Sequence, residues 1–118
     1  MRSRVQAPVG AHYGLGGWIV QRVTAIVMAL YTLFAIALLC WKAPGSYADW
    51  RALFAGGFVR LFTMLALVAL ACHAWIGMRD ILMDYAKPAG LRFALEVAVA
   101  VTLVFYILWA AAIVWGLA

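Results

Sequence analysis

His73 is the residue whose chemistry fits its surroundings least. It follows Leu61–Cys72, a run with no ionisable group other than Cys72. An imidazole in hydrocarbon is costly unless it has a partner, so an intramembrane histidine is a functional hypothesis by default. Helical spacing places Ala69, His73 and Gly77 at i−4, i and i+4, stacked on one face. The expectation is a slot with almost no side chain above or below the ring, open to something flat. Asp80 and Asp84 follow at i+7 and i+11, on roughly the same face if the helix continues at ~3.6 residues per turn. Tyr85 closes the stretch, up to ~18 Å along the axis from His73.

A haem held by two histidines needs one imidazole on each side of the ring. His12 is the other histidine of the chain, and it lies in the N-terminal tail. If His73 binds haem, the second ligand has to come from another chain. Blander readings stand beside this one. A buried histidine can simply hydrogen-bond a neighbouring helix, Tyr85 can be a belt tyrosine at the interface, and Arg22 can snorkel to headgroups. Asp84 can cap the helix or pair with Lys87. No CxxCH, HExxH, GxGxxG or phosphate-loop pattern occurs.

The elements that must carry these residues are apolar helices. The 118 residues are 69% hydrophobic and 11% charged, with a mean hydropathy of +1.05. Soluble domains are near half apolar and a quarter charged. The expected fold is therefore all-α: an integral membrane protein, a single membrane-anchor domain over residues 1–118. Its three transmembrane spans are expected at about 18–41, 58–78 and 91–117, after a cytoplasmic tail over 1–17. Such a chain is too short to enclose a large cofactor alone. Ala43-Pro44-Gly45-Ser46 marks a turn, and Ser46 can cap a short interfacial helix over 47–54. Asp80 to Gly90 reads as the second loop, with Lys87-Pro88 stopping any helix. Cys40 and Cys72 read as small buried hydrophobes.

The net charge of +5 does not signal nucleic acid, because the basic residues are scattered singly at helix ends. Arg2, Arg4, Arg22, Arg79, Lys87 and Arg92 fall on one side of the membrane, and Lys42, Arg51 and Arg60 on the other. This asymmetry predicts an N-terminus inside and a C-terminus outside. Arg22 and the segment from Arg79 to Tyr85 then meet at the inner face.

Three elements carry a family resemblance: Gln21-Arg22-Val23-Thr24-Ala25, the stretch from His73 through Gly77 to Asp84-Tyr85, and Lys87-Pro88. Together they resemble the small hydrophobic membrane anchor subunit of bacterial succinate dehydrogenase, the respiratory complex II. The resemblance runs over residues 17–118. It implies that His73 is an axial ligand of a haem b iron, that Tyr85 lines the ubiquinone pocket with Asp84 beside it, and that Arg22 approaches the haem propionates. It also implies partners: a second cytochrome b anchor subunit supplying the other haem ligand, an iron–sulfur subunit and a flavoprotein subunit. The implied location is the bacterial inner membrane. Gly16-Gly17 stands where many relatives have a histidine or another polar residue, which leaves His12 without an assigned role. Two alternatives remain at this stage: a fumarate-reductase-type quinone anchor without haem, and a small transporter or assembly subunit with His73 or Asp84 in a proton path.

Overall fold

The computed structural model describes residues 11–116, with side chains from Leu15 onward. The tail over 1–10 and the side chain of His12 lie outside the described residues. Four helices follow in order: α1 (Ala11–Lys42), α2 (Tyr47–Leu53), α3 (Gly57–Tyr85) and α4 (Ala89–Val114). Three stretches are long and apolar enough to cross a bilayer, namely Leu15–Lys42, Gly57–Tyr85 and Ala89–Val114. At ~1.5 Å per residue each exceeds a hydrocarbon core of ~30 Å, so the helix ends reach the headgroups.

The helices overrun the expected spans. Residues 11–17, expected in the tail, are the first turns of α1. Gly16 and Gly17 each cost about 1 kcal/mol relative to alanine in a helix interior. A broken backbone would leave amides unpaired at the edge of hydrocarbon, which costs more. Asp80–Tyr85, expected in a loop, are the last turns of α3. Ile81, Leu82 and Met83 sustain the helix there, and no breaker comes before Pro88. The clash of a proline ring with the preceding residue disfavours helix at Lys87. The chain accordingly leaves α3 at Ala86, whose amide still bonds Leu82 at 2.9 Å. α1 ends at Lys42 and is followed by Ala43, a non-glycine residue at φ 44°, just before Pro44. Ser46 caps α2 as expected, in a capping box with Asp49. The Ser46 hydroxyl, with the Gly45 and Ser46 amides, holds the Asp49 carboxyl below its usual range.

α3 lies between α1 and α4 and packs against both. The buried seam is made of small residues: Thr24 of α1, Thr63, Ala66 and Ala69 of α3, and Ala86 just beyond. Small side chains let helices approach closely, which matters where lipid removes the hydrophobic drive for helix association. Two polar pairs cross from α1 to α3. Tyr31 Oη and Thr63 Oγ1 are 2.8 Å apart, and Thr24 Oγ1 lies 3.1 Å from His73 Nδ1. Tyr31, Phe34, Phe58 and Phe62 pack edge-on around the first pair, with Phe34 and Phe62 at 5.1 Å between centroids. Most large apolar side chains are exposed and none among the described residues is fully buried, as in a bundle solvated by lipid. Cys40 and Cys72 are unpaired, but both are exposed on the outer surface of the bundle, not buried as expected. Helix faces open to lipid or to a neighbouring chain carry apolar residues, so hydropathy does not separate inside from outside here.

Candidate functional site around His73

The antiparallel packing of α1 on α3 brings the start of one helix beside the end of the other. At that end a cleft of about 690 Å³ opens. α1 contributes Gly17, Trp18, Gln21, Arg22 and Ala25 to it, and α3 contributes His73, Ile76, Arg79, Asp80 and Met83. The expected meeting of Arg22 with the polar end of α3 is thus present. Arg22 is exposed, with its guanidinium 5.1 Å from the Trp18 ring centre, a cation–π contact at the mouth of the cleft. Of the two small residues expected to flank the His73 ring, Gly77 has open space beside it. Ala69 is buried in the helix seam, and neither residue lines the cleft. Gly17 and Ala25 of α1 supply the small surfaces instead.

Asp84 and Tyr85 are not part of this cleft. The unbroken helix explains why. Tyr85 is ~18 Å beyond His73 along the axis and turned ~120° from it, whereas Asp80 and Asp84 fall within ~20° of the His73 direction. Tyr85 is 81% exposed, so its ring stands clear of the bundle. Asp84 is exposed as well.

Sequence reasoning gave no individual role to three residues at or beside the cleft. Thr24 sits ~3.6 turns inside α1, and its Oγ1 lies 3.1 Å from the imidazole Nδ1. Among the described residues, Gln21 Oε1 and Arg79 Nε are buried with no hydrogen-bond partner. Leaving a buried donor or acceptor unmade costs about 1–3 kcal/mol, more for a charged group. The pair marks two places in the cleft where a polar partner beyond the described residues would be accommodated. Only helix register could have exposed these residues beforehand: Gln21, Thr24 and Ala25 recur at the spacing of one face of α1.

The residues fit a haem better than a bare metal ion. Among the described residues no three of His, Cys, Asp and Glu converge. His73 could supply at most one ligand here, which would suit a group that brings its other donors with it. Arg22 and Arg79 line the same cleft, where carboxylates of such a group would find charge-assisted hydrogen bonds. A second, apolar cleft of about 520 Å³ runs among α1, α3 and α4, and Arg79 borders it too.

These features define a multi-pass membrane subunit with one imidazole set beneath a basic cleft at one face. The family model for the succinate dehydrogenase/fumarate reductase transmembrane subunit matches residues 2–114, and the chain belongs to that family. It is 40% identical over 102 residues to the succinate dehydrogenase hydrophobic membrane anchor subunit of Coxiella burnetii (strain RSA 493 / Nine Mile phase I). That alignment covers 86% of this chain and 89% of the relative. The chain is thus a membrane anchor subunit of an oxidoreductase complex, a multi-pass protein of the inner membrane.

Proposed function

We propose that this subunit anchors a succinate:ubiquinone oxidoreductase, with His73 as one axial ligand of a haem b at the face between this chain and a second cytochrome b subunit. The observation that carries the reading is the cleft itself: one imidazole beneath two guanidiniums, with buried polar atoms of Gln21 and Arg79 left unpaired. When bound, the haem supplies a one-electron redox centre beside the quinone path. His73 offers a ring nitrogen to the iron. Arg22 and Arg79 pair with the propionates, and Arg22 also offsets negative charge that develops on the quinone. Tyr85 donates a hydrogen bond from its hydroxyl to a quinone carbonyl at headgroup depth, and Asp84, one residue before it, orients that network.

The same reading sets the orientation. Six basic residues on the side of the N-terminus and the α3–α4 connection, against three on the other, favour an N-terminus inside and a C-terminus outside. The flavoprotein and iron–sulfur subunits then dock on the cytoplasmic face, above Arg22 and Tyr85, and deliver electrons from succinate.

The test is a reduced-minus-oxidised spectrum of the complex copurified on this chain. His73→Ala is expected to remove or alter the low-spin haem bands while the subunit still inserts. An unchanged spectrum and midpoint potential in His73→Ala overturn the assignment. A wild-type complex with flavin and quinone activity but no haem band identifies a quinone anchor of the haem-free kind.

A further inference from the structure

The geometry points to Thr24 as the residue that fixes the tautomer and orientation of His73, and so decides which ring nitrogen faces the iron. The inference rests on the haem ligation proposed above and goes beyond it to a residue on the other helix.

Thr24 is buried, and its hydroxyl has one hydrogen. Its Oγ1 lies 2.6 Å from the Val20 carbonyl oxygen and 3.2 Å from that of Gln21. Two oxygens at 2.6 Å with no hydrogen between them would repel, so the hydroxyl proton is donated to Val20. This is the bond back to the preceding turn that a threonine in a helix commonly makes. The hydroxyl then has only lone pairs to offer to His73 Nδ1, 3.1 Å away. Nδ1 must carry the proton and donate it to Thr24. In the neutral ring the other nitrogen, Nε2, is therefore the bare one. His73 lines the cleft, and the hydrogen bond turns Nδ1 toward α1, which leaves Nε2 as the nitrogen free to bind a metal.

The arrangement matches what a metal-bound histidine generally has: a partner on its second nitrogen that sets the tautomer, holds the ring plane and raises the basicity of the ligating nitrogen. Here the partner is a hydroxyl whose own proton is already committed one turn back. It can only accept. A hydroxyl free to rotate could donate to Nδ1 and present the wrong tautomer. The Val20 carbonyl removes that choice. Thr24 is thus a positioning residue, acting through His73.

The experiment compares Thr24→Val, Thr24→Ser and His73→Ala in the whole membrane complex. Valine keeps the shape of threonine and removes the acceptor. Thr24→Val is expected to raise the haem midpoint potential, because a less basic imidazole favours the oxidised iron less. It is also expected to speed haem transfer to an apo-globin acceptor by about tenfold or more, the usual cost of losing such a partner. Thr24→Ser keeps the hydroxyl and is expected to restore both values. If Thr24→Val does not assemble, Thr24→Ala, which adds no bulk, takes its place in the same comparison. A wild-type potential and transfer rate in the variant without the hydroxyl overturn the inference, and so does an equal shift in Thr24→Ser. His73→Ala separates the two levels. Loss of the haem bands in His73→Ala beside a wild-type Thr24→Val sinks only the role of Thr24. Retention of those bands in His73→Ala sinks the ligation and the role together.

Discussion

Replacing Tyr85 with phenylalanine isolates the proposed quinone donor from everything else in the chain. The ring stays and one hydroxyl goes. Tyr85 is 81% exposed at the last residue of α3, and among the described residues its hydroxyl makes no hydrogen bond. An exposed substitution of this kind stays within about 0.5 kcal/mol of neutral for stability. The haem should not notice it either. Tyr85 is ~18 Å along the helix from His73 and ~120° around it, beyond contact with any group held in the His73 cleft. What the hydroxyl can affect is charge developing on a quinone oxygen. A donor aimed at a developing oxyanion in a closed site is worth about 10²–10³ in turnover. On the proposed reading Tyr85 works at headgroup depth, at the end of the span, where wetter surroundings would weaken the bond. The expectation is a fall of about tenfold in turnover, which corresponds to about 1.4 kcal/mol of transition-state stabilisation.

The assay is succinate-dependent reduction of a short-chain ubiquinone by the purified complex, set beside succinate oxidation with an artificial acceptor that takes electrons from the soluble subunits. Tyr85→Phe should lower the first and leave the second and the haem spectrum unchanged. The loss should fall on kcat more than on KM, because the bond strengthens as charge grows. Wild-type quinone turnover would show that Tyr85 is an interfacial anchor, with the donor elsewhere. An equal loss with both acceptors would show an assembly defect and refute the reasoning from exposure.

Two further expectations follow from the same geometry. Tyr31→Phe breaks the 2.8 Å bond to Thr63 while keeping the aromatic cluster, and should cost about 0.6 kcal/mol, the usual worth of an interhelical bond in a bilayer. Thermal unfolding of the detergent-solubilised complex reads this, and a loss of several kcal/mol would mean that the pair holds α1 on α3 alone. A periplasm-active reporter fused after the last residue should be active and a cytoplasm-active one silent; the opposite pattern overturns the orientation drawn from Arg2, Arg4, Arg22, Arg79, Lys87 and Arg92.

The spans, the turn before α2 and its serine cap were readable because each rests on a local signal: a long apolar run, Pro44-Gly45, or Ser46 three residues before Asp49. His73 was readable because a lone imidazole contrasts with its neighbours. The end of α3 was not. Arg79, Asp80 and Asp84 look like loop composition, yet charged residues are tolerated in a helix once it has left the hydrocarbon, and the actual stop is Pro88. Thr24 was invisible for a different reason. A threonine in an apolar helix is unremarkable by composition, and its meaning comes from the register that places residue 24 of α1 opposite residue 73 of α3. Tyr31 and Thr63 share that register from the other end of the seam. Hydropathy fixes depth in the membrane, but it does not fix which residues of two antiparallel helices stand opposite each other.

The turn of α3 between His73 and Tyr85 bears on how the proposed subunit works. Residues that rotate ~120° apart over ~18 Å do not face one partner surface. The imidazole looks across the seam toward α1 and the cleft beside it, while the phenol stands free at the end of the helix. On the proposed reading the haem and the quinone are therefore held by different faces of a single helix, and a substitution can silence one without disturbing the other. Asp80 lies on the His73 side and lines its cleft, whereas Asp84 shares that direction but sits one turn nearer the phenol. Asp84 is ~16.5 Å along the axis from His73 and outside its cleft, so on the proposed reading it serves the phenol and not the haem. Its removal should lower quinone turnover and leave the haem potential unchanged, as Tyr85→Phe does.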